Sequence, residues 1–210
     1  MKKNGKAGDS PREEISRRAE LLSAAARLMR EKGYASTTTR EMAQAVGMGS
    51  GSPFCHFRSK QEILSVIVEE GMTRALARAE RLAARGLSPR QRLRALMRLH
   101  AETLHGADGD FAAVMLREWP ILPSEARQRL DAMRHRYEAI WSDCVQALRD
   151  AEHLNGDAVL SARLMLGSLN GSLHWRRGDG PFDARRLANA AADVFLTTPA
   201  RRPRRSADVK

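Results

Sequence analysis

The sequence predicts an all-α protein with a short helical module at its N-terminus and a larger helical body behind it. Three observations carry that reading. Apolar residues recur at spacings of three and four, as one face of a helix requires. Glycines and prolines fall at a few points that coincide with helix-capping residues. No stretch alternates apolar and polar residues as a half-buried strand would. The 210 residues are 42% hydrophobic, 29% charged and 5% aromatic, an ordinary globular composition that can bury a core without disulfides or a structural metal. Lys and Arg number 36 against 25 Asp and Glu, and the resulting +11 points to a polyanionic partner.

The elements follow in order. Residues 1–11 are polar and basic and are expected to be a disordered arm. From Pro11, Ile15, Ala19, Leu22, Ala26 and Met29 lie on one helical face, and Gly33 stops that helix. Thr38 with Glu41 three residues on is a capping box for a short second helix through Met42, Ala43 and Val46. Gly47 to Gly51 reads as a turn, and a third short helix follows through Phe54 and Phe57. Ser59 and Glu62 form a second capping box, opening a helix that runs to about Arg85 before Gly86.

Beyond it, Ser88-Pro89 starts a helix that ends near Gly106. A shorter segment from Asp110 to Trp119 is broken by Pro120 and Pro123, and Ser124-Glu125 opens a long helix reaching His153. Asp157 to Arg177 is the next, stopped by Gly178 to Pro181, and Asp183 caps the last. There Leu187, Ala190, Ala191, Val194 and Phe195 form an apolar stripe of the kind that faces a partner. Residues 200–210 are a basic tail.

Helix, glycine turn and short helix within residues 38–58 make a helix-turn-helix candidate, although a plain helical hairpin shows the same pattern. The capped second helix offers free N–H groups to phosphate, and the third would present Ser50, Ser52, Cys55, His56 and Arg58 to a groove.

Residues 12–70 resemble the N-terminal domain of the TetR family of one-component transcriptional repressors. The family segment Gly-Val-Ser-x-Gly-Thr-Leu-Tyr-x-His-Phe-x-Ser-Lys is matched here at Gly47, Gly51, His56, Phe57, Ser59 and Lys60, with Ser52 in place of Thr. Thr38-Thr39-Arg40-Glu41-Met42-Ala43 is similar to the family's second helix. The resemblance implies a DNA-binding domain over 12–58 and an all-α ligand-binding and dimerisation domain over 59–199. It implies a homodimer on a palindromic, double-stranded operator, released by a small-molecule effector. The implied DNA-binding residues are Thr38, Arg40, Ser50, Ser52, Phe54, Cys55, His56 and Lys60.

Gly49, Pro53 and Phe54 depart from the pattern, and Phe54 lacks the hydroxyl that a family tyrosine gives to a phosphate. Pro53 fits a recognition helix that starts at Ser50, where it stands in the first turn; the alternative is a distorted helix with altered DNA binding. The stretches 116–123 and 166–177 are more loosely similar to TetR-type regulators of fatty-acid and steroid degradation, which respond to acyl-CoA thioesters. That likeness implies effector contacts at Trp175, Arg176 and Arg177, and Phe111 and Trp119 are expected among the walls of a largely apolar pocket between the helices of about 88–177.

Other classes find less support. No nucleophile–base pair, phosphate loop or metal-ligand run suggests an enzyme, and no cofactor is expected. Cys55 and Cys144 form no ligand cluster, and neither has a second cysteine nearby for a thiol switch. The opening residues do not read as a secretory signal, and Ile63 to Val68 is far short of the ~18–20 residues of a membrane span, so a cytoplasmic location is expected. The rival reading is a basic helical adaptor that binds nucleic acid or a protein without any effector.

Overall fold

The computed structural model describes residues 11–49, 56–175 and 183–196. Within them lie eight α-helices: α1 (Pro11–Lys32), α2 (Thr39–Ala45), α3 (Lys60–Ala83), α4 (Pro89–His105), α5 (Gly109–Glu118), α6 (Ser124–Asp150), α7 (Ala158–Trp175) and α8 (Ala184–Phe195). A 3-10 turn, Trp119–Ile121, follows α5 where Pro120 removes a backbone donor. No strand occurs among the described residues.

The chain folds as two compact units. The first takes the described residues up to Arg78 together with Glu102–Arg136, and the second takes Ala79–Ala101 and the described residues from Tyr137 on. In the first unit α1 packs on α2 and α5. Leu21, Leu22, Ala25, Ala26 and Met29 of α1 meet Met42, Phe57, Leu64, Ile67 and Phe111 in one buried cluster. Each large side chain so buried contributes roughly 1.5–3 kcal/mol. The second unit buries Leu93, Leu96 and Met97 of α4, Trp141, Val145 and Leu148 of α6, and Met165 and Leu169 of α7. There α7 packs on α8, which buries Ala188 and Ala192.

Several local expectations need correction. Ile15 is 70% exposed and Ala19 is exposed too, so only the C-terminal half of the α1 stripe is core. Ser59 caps α3 by accepting from Glu62 N at 3.1 Å, but the Glu62 carboxylate takes the Arg58 N–H at 2.6 Å; the box is half closed. α3 ends at Ala83 rather than Arg85. α6 ends at Asp150 rather than His153, because Glu152 takes φ 58° and the N–H groups of Glu152 and His153 fold back onto Arg149 O and Leu148 O. The third short helix falls on residues 50–55, outside the described residues.

Candidate nucleic-acid interface

The segment from the end of α1 to α2 is built by three sets of backbone contacts. α1 closes on Gly33, whose N–H returns to Met29 O at 2.9 Å with φ 88°. Thr37 is fully buried and its hydroxyl donates to Gly33 O at 2.7 Å. Thr38 caps α2: its hydroxyl accepts from Glu41 N at 3.3 Å, while its own N–H donates to the Glu41 carboxylate at 2.9 Å. α2 then ends in a reciprocal pair, with Gly47 N on Gln44 O at 3.1 Å and Met48 N on Ala43 O at 2.9 Å. Gly47 sits at φ 66°, the left-handed conformation such a turn demands and a residue with a Cβ resists. This is a tight turn that ends α2 and redirects the chain.

Glu41 also pairs with Lys32. That hydrogen bond, with those from Thr38, pulls its carboxyl down to about 2. A carboxyl lowered on folding stabilises the fold above its ordinary value, 4.5, and loses that contribution as pH falls toward 2. Glu41→Gln is therefore expected to flatten the acid side of the stability profile across that window, read from urea midpoints at successive pH values.

Lys60, at the start of α3, completes the segment. Its ammonium donates to Tyr34 O and Thr37 O, both at 2.9 Å, reaches Ala35 O at 3.4 Å, and lies 4.3 Å from the Tyr34 ring centre. A second brace comes from the end of α5. The Arg117 guanidinium donates to Met29 O and, at 3.1 Å, to Arg30 O, covering the last carbonyls of α1. The Glu118 carboxylate accepts from Tyr34 N at 3.2 Å and from Arg117 Nε at 2.8 Å. Burial, and then the Glu118 charge, raise the Tyr34 hydroxyl above its ordinary pKa. The loop between α1 and α2 is thus gripped from α3 and from α5. Arg117→Met is expected to cost about 1 kcal/mol, the typical worth of such capping bonds, seen as a lower melting temperature.

The sequence-predicted residues divide accordingly. Thr38 and Arg40 are exposed on the first turn of α2, and His56 is half-buried beside the buried Phe57. Ser50, Ser52, Phe54 and Cys55 lie outside the described residues, as do Arg176 and Arg177. Phe111 and Trp119 belong to the first unit: Phe111 is 5% exposed with Arg74 over its ring at 4.6 Å, and Trp119 is half-buried with Arg134 over its ring at 5.7 Å. Trp175 belongs to the second unit, 56% exposed at the end of α7. The braces at Arg117 and Glu118 had no sequence signal beyond a charged pair before Trp119.

Two family models cover this chain. Residues 21–67 match bacterial regulatory proteins of the tetR family, and residues 86–198 match the tetracyclin repressor-like C-terminal domain. The chain belongs to the tetR family of bacterial regulatory proteins. It is 31% identical to the HTH-type transcriptional repressor KstR2 of Mycolicibacterium smegmatis, over 90% of this chain and 94% of that protein. The TetR-family regulator PfmR from Thermus thermophilus superposes with a TM-score of 0.77 at 31% identity, over 86% of this chain and 99% of that one. AibR, solved with isovaleryl coenzyme A and operator DNA, shares the fold at a TM-score of 0.79 and 23% identity, over 86% of this chain and 98% of that one. The helix-turn-helix is therefore the DNA-binding element of a transcriptional regulator. No described helix is long and apolar enough to cross a membrane, and no cluster of metal-ligating side chains occurs among the described residues.

Proposed function

We propose that this regulator is a homodimeric repressor that leaves a two-fold operator when a small-molecule effector, an acyl-CoA thioester, binds. The observation that carries the DNA half of this reading is the Gly47 turn behind a capped α2, which sets the direction in which the chain leaves α2. Thr38 and Arg40 stand exposed at that end for phosphate, with Ser50, Ser52, Phe54, Cys55 and His56 following in the chain. Lys60 serves by placing the loop that carries Thr38. Support for dimerisation is the apolar surface that α7 and α8 leave open, with Leu160 58%, Leu164 56% and Val194 81% exposed.

Support for the effector class is the coenzyme A derivative held by AibR together with the loose likeness of residues 116–123 and 166–177 to acyl-CoA-responsive regulators. Trp175, Arg176 and Arg177 are the contacts that likeness offers. An effector acts only through different affinities for the DNA-bound and DNA-free states.

The test is to recover genomic fragments bound by the purified protein and to titrate them with acyl-CoAs in a mobility-shift assay. Binding to an inverted repeat that weakens with salt, and release by an acyl-CoA but not by coenzyme A, is expected. Binding that shows no sequence preference would remove the two-fold operator from this reading.

A further inference from the structure

The second unit holds a buried polar cluster to which neither the sequence nor the family assignment gives a role. His100 of α4, 7% exposed, is bonded through both ring nitrogens: Nδ1 lies 2.8 Å from the Tyr137 hydroxyl and Nε2 lies 2.9 Å from Asn170 Oδ1. A carbonyl oxygen only accepts, so Nε2 donates to Asn170, while Nδ1 and the Tyr137 hydroxyl share the second bond.

Trp141 of α6 stands edge-on to His100, ring centres 5.7 Å apart at 81°, and is completely buried. Its indole Nε1 finds no acceptor among the described residues. A buried N–H left without an acceptor is costly, and folded proteins keep few of them. Three residues along α6, Cys144 is buried with its thiol on Pro89 O at 3.8 Å.

We propose that Trp141 Nε1 receives a neutral carbonyl oxygen of the effector, with the His100–Tyr137–Asn170 chain forming the polar wall beside it. This rests on the effector-released reading above and names the group recognised. The unmet group is a donor, so the ligand must bring an acceptor. The indole donor carries no charge, so it satisfies a carbonyl oxygen without offsetting the charge of a buried carboxylate. A ketone, ester or thioester carbonyl fits; a carboxylate does not. Arg92, whose Nε is also buried without an acceptor among the described residues, places its charge at Cys144 and would draw a carboxylate there instead.

The test uses the full-length protein labelled with nitrogen-15, whose three tryptophans give three indole resonances. The Trp141 signal is assigned by its loss in Trp141→Phe. Cyclohexanone is expected to move that signal and to bind about tenfold more tightly than cyclohexane, a preference that Trp141→Phe abolishes. Decanoyl-CoA should likewise release operator at about tenfold lower concentration than its thioether S-decyl-CoA, and the variant should make the two equal. An unmoved Trp141 signal, a stronger response to cyclohexanecarboxylate, or a preference that survives in Trp141→Phe overturns the proposal. Where Trp141→Phe folds poorly, Trp119→Phe and Trp175→Phe assign the third signal by elimination, and the wild-type resonance decides the matter. Should cyclohexanone move the signal while neither coenzyme A derivative releases DNA, the acyl-CoA reading fails and the carbonyl site stands.

Discussion

Lys60→Met is expected to lower the melting temperature by roughly 4–10 °C and to weaken operator binding without changing its salt dependence. The ammonium has three N–H groups, and the carbonyls of Tyr34, Ala35 and Thr37 lie within reach of all three. Methionine keeps most of the stem and removes the donors, leaving Thr37 O without the ammonium and Tyr34 O with the Thr37 N–H alone, at 3.2 Å. Hydrogen bonds from a charged group contribute about 1.5–3 kcal/mol each in favourable cases, and partial exposure here puts the sum at the low end. The loop carries Thr38, so the start of α2 loses its position along with the stability.

The salt dependence separates this role from a phosphate contact. A lysine bound to phosphate releases counterions, and its loss lowers the slope of log affinity against log salt by about 0.9. Arg40→Ala, at an exposed position with no brace of this kind, is expected to produce that change with an unaltered melting temperature. A Lys60→Met protein with wild-type stability and a reduced slope would return Lys60 to the DNA surface.

The contrast between these two residues shows what the sequence could carry. Local hydrogen bonds were legible because their partners sit three or four residues apart. The Thr38–Glu41 box and the Asp183 cap, with Arg186 N on its carboxylate at 2.6 Å, follow from spacing alone. Ser88 and Gln91 form a further box, each backbone N–H meeting the other's side chain at 3.0 and 3.5 Å, and the same Ser-x-x-Gln rule would have found it. Glu62 shows the limit, since whether its carboxylate meets Ser59 N or Arg58 N depends on the path of the chain into α3.

Long-range acceptors leave no such trace. Lys60 reaches carbonyls more than twenty residues back, and every residue type presents the same carbonyl. His100, Tyr137 and Asn170 come from three helices, separated by 37 and 70 residues, so only the packing of α4, α6 and α7 brings them together. The α8 stripe was legible as a stripe. The flank of that stripe, Ala188 and Ala192, is what the fold buries, and among the described residues nothing covers Val194, which is 81% exposed.

That open face sets the largest expected effect. The paired change Leu164→Glu and Val194→Glu is expected to convert a dimer into a monomer at micromolar concentration and to weaken operator binding more than about 100-fold. At 56% and 81% exposure these side chains contribute little to the fold of their own unit, so the helical circular dichroism should be kept. In a two-fold interface each substitution appears twice, and carboxylates brought together out of water with no cation opposite cost several kcal/mol. A stable interface buries about 800 Å² per partner, and charges placed at its centre remove the apolar contacts that hold it. DNA binding should fall with it, because a linked second half-site raises affinity by roughly 10²–10⁴-fold, and a monomer forfeits that gain. Ile121→Glu, at a 46% exposed apolar position in the other unit, serves as the control and should leave the assembly unchanged. Sedimentation velocity reads the outcome directly. A paired variant that still sediments as a dimer would move the interface off α7 and α8.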